Sequence, residues 1–253
     1  MLNYKVINNN HSDWVVMIHG AGGNIETWFR QVPDYARHFN LLLVDLIGHG
    51  ESQDMSLIEN LSFELVADQI MEVIDHLKIK TANFLALSVG AIVARLIAEK
   101  HPERVKKMVL AGAITSLSYK AKFLVKLADT FKRIIPFSIL RWFLVKYVVP
   151  NKNTYNTYMK GVKKVCYESF LLWMTIVNKM SIFLSKLFSN RCEIPTLYLM
   201  GDSDKLFLAQ VQDLVKQDKE FSSLVIVPNA GHACNIENKR FFNRVSIDFF
   251  QAA

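Results

Sequence analysis

Cysteine is scarce in this 253-residue chain: Cys166, Cys192 and Cys234 form an odd set with no histidine at ligand-like spacing. That pattern excludes a disulfide framework and a zinc site, and it fits reduced thiols in a reducing compartment. Residues Met1 to Asn10 lack a basic stretch followed by an apolar one, so no secretory signal is expected. No run approaches the roughly 18 uncharged apolar residues that a membrane-spanning helix needs. The nearest, Ile134 to Val149, is interrupted by Pro136, Arg141 and Lys146. A GxGxxG fingerprint and a Walker-type lysine are also missing, which removes the common nucleotide-binding loops. Internal repeats and low-complexity tracts are absent as well. The expectation is a cytoplasmic protein that needs no metal and no organic cofactor. Half of the residues are hydrophobic, enough to build a full core in one large α/β domain or in one domain carrying an insertion.

Acidic residues are scarce in one region only. Between Leu117 and Asn190 stand thirteen lysines and arginines against Asp129 and Glu168, so that segment carries +11 while the remainder carries −4. The basic residues are interleaved with Phe, Leu, Trp and Tyr, which makes amphipathic helices rather than a solvated nucleic-acid-binding tail. Nucleic acid is therefore not an expected partner. Lysines on such helices are solvated by default, and contact of the basic, aromatic module with an anionic lipid surface is the alternative that this composition allows.

Elsewhere short apolar runs alternate with helical patterns, as in a largely parallel sheet flanked by helices. The runs are Trp14 to Ile18, Leu41 to Asp45, Asn83 to Leu87, Val105 to Ala111, Thr196 to Met200 and Ser223 to Val227. Ser62 is placed to cap a helix through Leu77, on which Val66, Ile70, Val73, Ile74 and Leu77 make one apolar stripe. Further helices are expected over Ala91 to Lys100, around Ala209 to Lys216 and over Asn238 to Phe250. From Ser116 to Asn190 the spacing is helical throughout, with breaks near Pro136, Pro150 to Asn153 and Gly161. The organisation expected is a core made of residues 1–115 and 191–253, interrupted by a helical insertion over residues 116–190.

The sharpest chemical feature is Ala86-Leu87-Ser88-Val89-Gly90-Ala91, which leaves a strand and enters a helix. A serine on such a tight turn is lifted clear of the sheet with its Oγ exposed. The turn requires small residues two positions before and two after the serine. Gly90 and Ala86 meet that need, although glycine is usual at both places. The glycine-rich turn His19-Gly20-Ala21-Gly22-Gly23 follows the first strong strand, where a backbone amide is needed for an oxyanion hole. The Ala21 and Val89 amides are the expected donors. Past the last strand, Gly231-His232 offers an imidazole whose ordinary pKa suits it to take the serine proton and return it to a leaving group. His11, His38, His76 and His101 lie at turns or on polar helix faces, while His19 and His49 sit in turns near the site and shape its loops. The carboxylate that would orient His232 belongs on the loop after the preceding strand, and Met200-Gly201-Asp202-Ser203-Asp204 supplies two candidates, Asp202 and Asp204.

Taken in order, these residues resemble the α/β-hydrolase superfamily, in its lid-bearing serine esterase and carboxylesterase-like branch. The resemblance includes His19-Gly20 with Trp28 downstream, Asp45-Leu46-Ile47-Gly48-His49-Gly50-Glu51-Ser52, Gly201-x-x-Asp204 and Gly231-His232. It implies a mostly parallel central sheet flanked by helices, with residues 116–190 as a helical cap inserted between strands. It favours Asp204 over Asp202, because the acid commonly lies three residues after that glycine. The expected catalytic set is Ser88, His232 and Asp204. A serine at the elbow excludes the haloalkane dehalogenases and epoxide hydrolases of the superfamily, which need aspartate there. The expected reaction is hydrolysis of carboxylic esters, with thioesters as a variant, through an acyl-enzyme on Ser88. The apolar character of the cap, with Phe123, Phe131, Trp142 and Trp173 as candidate lining residues, points to a small-molecule ester with a hydrophobic short-to-medium acyl group. Two other readings share these residues. One is C–C bond hydrolysis or elimination, as in a menaquinone-pathway synthase, for which Arg133 or Arg141 would have to face the pocket. The other is ligand-binding signalling with a residual hydrolase site.

Overall fold

A computed structural model describes residues 1–53, 61–131, 134–148, 155 and 167–252. Seven strands build one sheet: β1 (Tyr4–Ile7), β2 (Trp14–Ile18), β3 (Asn40–Val44), β4 (Ala82–Leu87), β5 (Val105–Ala111), β6 (Thr196–Gly201) and β7 (Ser222–Val227). Their spatial order is β1-β3-β2-β4-β5-β6-β7. Every neighbouring pair is parallel except β1 with β3, which is antiparallel. The six parallel strands match the six apolar runs of the sequence to within a residue at each end. β1 is the strand that the sequence reading lacked. It is a four-residue edge strand whose Lys5 and Val6 are exposed, so it carries no apolar run to mark it.

Among the described residues the α-helices are α1 (Val32–Tyr35), α2 (Phe63–His76), α3 (Val89–Lys100), α4 (Tyr119–Phe131), α5 (Phe137–Val148), α6 (Tyr167–Ser189), α7 (Leu208–Gln217), α8 (Cys234–Glu237) and α9 (Lys239–Gln251). α2 forms where the apolar stripe predicts it. Its cap Ser62 accepts the Leu65 amide at 3.1 Å, a contact worth about 1 kcal/mol. Because strand side chains alternate between faces, the sheet has two cores. Val16, Ile18, Val44, Phe84, Ala86, Leu110 and Met200 pack towards α2 and α3, while Met17, Leu43, Leu85, Leu87, Val109 and Leu199 pack towards Trp28, Tyr35, Phe242 and Phe250.

α6 joins the first of these cores through Trp173, Ile176, Met180, Leu184 and Leu187, which recur at helical spacing along one face. Its C-terminal end is held by Arg95 of α3, a buried guanidinium that donates to Leu187 O at 3.1 Å and Asn190 O at 2.8 Å and pairs with Glu99. A cation at the carbonyl end of a helix satisfies groups that the helix itself leaves unpaired. α4 and α5 meet at the break expected near Pro136. The breaks expected near Pro150 to Asn153 and near Gly161 lie outside the described residues. Among the described residues no helix is long and apolar enough to cross a membrane.

Candidate active site

The parallel sheet delivers the candidate residues to its carboxyl edge, since β4, β6 and β7 run in one direction and each is followed by a loop on that side. Ser88 immediately follows β4 and opens α3. Its backbone sits at φ 56°, ψ −118°, a conformation that costs a non-glycine residue about 1–3 kcal/mol. β5 and the first turn of α3 hold it: the Ser88 amide donates to Ala111 O of β5 at 2.8 Å, and Ser88 O accepts the Ala91 amide at 3.0 Å.

Gly90 shows why the turn demands small residues. A Cβ there would lie 2.5 Å from Ile18 O and 2.6 Å from His19 O, both rigid backbone. Ala86, by contrast, carries its extra methyl fully buried in the sheet core, so the departure from glycine is absorbed. Gly90→Ala is expected to separate α3 from the end of β2 at a cost of about 3 kcal/mol. That corresponds to a melting temperature lower by roughly 6–12 °C for a chain of this size. An unchanged thermal melt would show that the elbow has room to spare.

Asp204, His232 and Ser88 form one chain of hydrogen bonds. His232 Nδ1 lies 2.8 Å from Asp204 Oδ2, and His232 Nε2 lies 2.9 Å from Ser88 Oγ. All three side chains are buried. Asp204 Oδ1 accepts the Leu206 amide at 3.1 Å and the Phe207 amide at 3.2 Å. Burial alone would raise the Asp204 pKa, but the His232 imidazole and these hydrogen bonds outweigh it and hold the carboxyl below its ordinary range. The carboxylate is therefore ionised at neutral pH and acts only as an acceptor. Nδ1 must carry the imidazole proton, which leaves Nε2 to accept the Ser88 hydroxyl.

Asp202, the other carboxylate on the same loop, is exposed and points elsewhere. Its oxygens accept the Asn229 amide at 2.8 Å and the Ala230 amide at 3.2 Å, fastening the loop that carries His232.

Further residues hold the imidazole, and the sequence reading did not single them out. The Phe207 ring lies 5.3 Å from the His232 ring. Gly112, at φ +50°, passes so close that a Cβ would come within 2.7 Å of His232 O and 3.2 Å of its ring. Glu237 accepts the Gly231 amide. Behind the loop, Gln31 donates to Asn235 O and Arg30 donates to Ile236 O, bolting α8 to the segment before α1. The position of Gly112 directly after a strand was a signal available in the sequence.

The glycine-rich turn runs against Ser88. A Cβ on Gly20 would lie 2.9 Å from Ser88 Cβ and 3.6 Å from its Oγ. The turn closes through the Gly23 amide on Gly20 O, and His49 Nε2 accepts the Gly22 amide at 2.9 Å. Ala21 is the exposed residue of this turn, and Val89 is the first residue of α3, beside Ser88.

His19 and His49 do shape these loops. His19 Nδ1 donates to Gly20 O and its Nε2 accepts the Leu46 amide. Burial lowers the His19 pKa to about 4. Burial, with the neighbouring His19 second, lowers that of His49 to about 3. Both rings are neutral at physiological pH, as acceptors of amide protons must be.

The aromatic residues expected to line a pocket divide. Trp173 is buried, donates through Nε1 to Ile47 O at 3.0 Å and meets His49 edge-on at 5.3 Å. Its contacts are committed to docking α6 on the 46–52 loop, where a Cβ on Gly48 would strike Ser169. Phe123, Phe131 and Trp142 stand at the protein surface, and the Lys146 ammonium lies over the Trp142 ring. Arg133 and the side chain of Arg141 lie outside the described residues. Among the described residues no three His, Cys, Asp or Glu side chains converge as metal ligands.

This geometry has relatives. The chain is 24% identical over 259 residues to a putative 2-succinyl-6-hydroxy-2,4-cyclohexadiene-1-carboxylate synthase of Bacillus subtilis, covering 95% of this chain and 91% of that protein. It is 23% identical over 255 residues to a pimeloyl-(acyl-carrier protein) methyl ester esterase of Yersinia enterocolitica, covering 94% and 93%. In structure it resembles an enol-lactonase from Burkholderia xenovorans with a TM-score of 0.86 at 20% identity, over 99% of this chain and 96% of that one. The family model described as alpha/beta hydrolase fold matches residues 13–239. With only its two ends outside that match, the chain belongs to the alpha/beta hydrolase fold family.

Proposed function

We propose that the protein is a serine hydrolase that cleaves carboxylic esters of hydrophobic short-to-medium acyl groups, with thioesters as a variant. The observation that carries this reading is the His232 imidazole suspended between Ser88 Oγ and Asp204 Oδ2 at hydrogen-bond distance from both. His232 Nε2 takes the Ser88 proton as Oγ adds to the acyl carbonyl. The resulting oxyanion is held by the Ala21 and Val89 amides, and the positive end of the α3 dipole adds to that field. The tetrahedral adduct collapses as the imidazolium returns the proton to the departing alcohol or thiol. His232 then draws a proton from water, which hydrolyses the acyl-enzyme and regenerates Ser88. The imidazolium that forms twice per turnover is stabilised by the ionised Asp204 carboxylate.

In the same reading, residues 116–190 are a helical cap over residues 1–115 and 191–253. The docking of Trp173 on the loop that carries His49 supports this, because it fixes α6 beside the glycine-rich turn at the site. Esterase chemistry is also in keeping with the ester-cleaving relative in Yersinia. The free thiols of Cys192 and Cys234 fit a cytoplasmic location.

The test is covalent. A fluorophosphonate adds one adduct to the wild-type chain by intact mass and none to Ser88→Ala, and p-nitrophenyl butyrate is turned over only by the former. A wild-type chain that takes no label overturns the proposal. The similarity to the Bacillus synthase motivates the second reading. A labelled enzyme inert to every member of an acyl-chain series, yet active on a polycarboxylate cyclohexadiene, belongs to it.

A further inference from the structure

We infer that the outward face of α4, with Ile134 beyond it, docks on an anionic lipid bilayer. Tyr119, Phe123, Leu127 and Phe131 follow one another every fourth residue and so lie along one stripe of the helix. Their side chains face water, with exposures of 92%, 65%, 40% and 37%. Ile134, exposed at 75%, continues the stripe past the helix end, where its amide bonds to Phe131 O. Lys122 and Lys126 are exposed along one margin of it, and the Lys122 ammonium lies 6.0 Å from the Tyr119 ring. On α5, Ile139 and Trp142 are exposed in the same way, with Lys146 above the indole. A protein that stays in bulk water rarely leaves so continuous a row of large apolar side chains uncovered.

The charge identifies what covers it. Lys122, Lys126 and Lys146 border the apolar row, in a segment whose sequence over 117–190 carries thirteen basic and two acidic residues, so an anionic partner is drawn to it. A second copy of the chain would bring two such surfaces together and be repelled. An acidic protein would satisfy the lysines but leave the aromatic stripe without a use. A helix lying in the plane of an anionic membrane satisfies both, with its aromatic side chains at the acyl boundary and its lysines among the headgroups. Since no described helix is long and apolar enough to cross a bilayer, the contact is peripheral. This inference does not depend on the chemistry at Ser88, and its test does not use activity.

The experiment is sedimentation of the full chain with vesicles of phosphatidylcholine alone or with about one-third phosphatidylglycerol, read together with tryptophan emission. The anionic vesicles are expected to carry the protein down and shift emission to the blue through Trp142, with Trp142→Phe losing the shift and keeping the binding. Raised salt weakens the association. Phe123→Ser with Leu127→Ser lowers partitioning by about tenfold or more for each side chain removed from the acyl boundary. Lys122→Gln with Lys126→Gln lowers it by about thirtyfold, the factor to which about 1 kcal/mol per lysine converts. Near-UV circular dichroism identical to wild type establishes that the variants are folded. Absence of binding to anionic vesicles overturns the inference, as does binding that both double variants retain. It is equally overturned by a sedimentation-equilibrium dimer that Phe123→Ser dissolves, which would make a second copy the occupant. Saturable binding to an acidic carrier protein, indifferent to Phe123→Ser and accompanied by no vesicle binding, would make the partner a protein.

Discussion

Asp204→Asn is expected to lower kcat on p-nitrophenyl esters by about four orders of magnitude, while Asp202→Asn changes it no more than a few-fold. The size of the first effect follows from proton placement rather than from loss of fold. In the variant, the amide oxygen still accepts the Leu206 and Phe207 amides that Asp204 Oδ1 accepts now. The amide nitrogen then faces His232 Nδ1, at the position where Oδ2 stands at 2.8 Å. An NH₂ group only donates, so Nδ1 must become the acceptor and the imidazole proton moves to Nε2. There it points at Ser88 Oγ, and the base that should take the serine proton already carries one. The missing carboxylate also withdraws its charge from the imidazolium that forms in the transition state. Asp202 has no such role, because its oxygens are occupied by the Asn229 and Ala230 amides. The measurement is kcat for both variants alongside a thermal melt. A loss at Asp202→Asn comparable to that at Asp204→Asn, with both folded, would remove Asp204 from its assigned place.

These two aspartates mark a boundary of what can be read from sequence. The meeting of Ser88 and His232 is legible because their placement is tied to local signals: an apolar strand ending in a serine flanked by small residues, and a histidine just past the last strand. Asp202 and Asp204 sit two residues apart on one turn, so residue type does not separate them, and only the family resemblance, with its acid three residues after Gly201, favours Asp204. Their roles are decided by the course of the turn, which sends one carboxylate back to the His232 loop backbone and the other to the ring itself. The interior strands are legible for a different reason: buried on both faces, they read as continuous apolar runs. The edge strand β1 is half exposed and has no such run. The helicity of α4 to α6 is equally legible, but not which side faces in. Large apolar residues and lysines are interleaved along all three, so nothing local distinguishes Trp173, committed to the 46–52 loop, from Phe123 and Trp142, turned outward. Gly112 escaped notice because its importance lies in the His232 ring beside it, 120 positions away in the chain.

The stability of the protein is expected to fall steeply on acidification below pH 6.5, through His19 and His49. Both histidines are neutral in the folded chain, with pKa values lowered by burial to about 4 and about 3. Unfolded, they return to 6.5. Between those values the unfolded state binds more protons than the native one, so unfolding free energy rises with pH and is fully restored above 6.5. While both groups contribute, the slope is about 2.7 kcal/mol per pH unit. The depressed pKa of Asp204 adds its own loss only further down, below the ordinary carboxylate range. Urea midpoints measured at pH 7, 6 and 5 read this slope directly. His49→Gln is expected to halve it, since the side-chain carbonyl of glutamine still accepts the Gly22 amide that His49 Nε2 accepts at 2.9 Å, but does not titrate. A midpoint that stays level from pH 7 to 5, or a slope indifferent to His49→Gln, would mean that these rings are not held neutral by their amide partners. The consequence for the site is mechanical. Protonating His49 turns its acceptor into a donor aimed at the Gly22 amide, so the glycine-rich turn that presses on Ser88 loses its anchor. Activity should then decline in acid together with the fold.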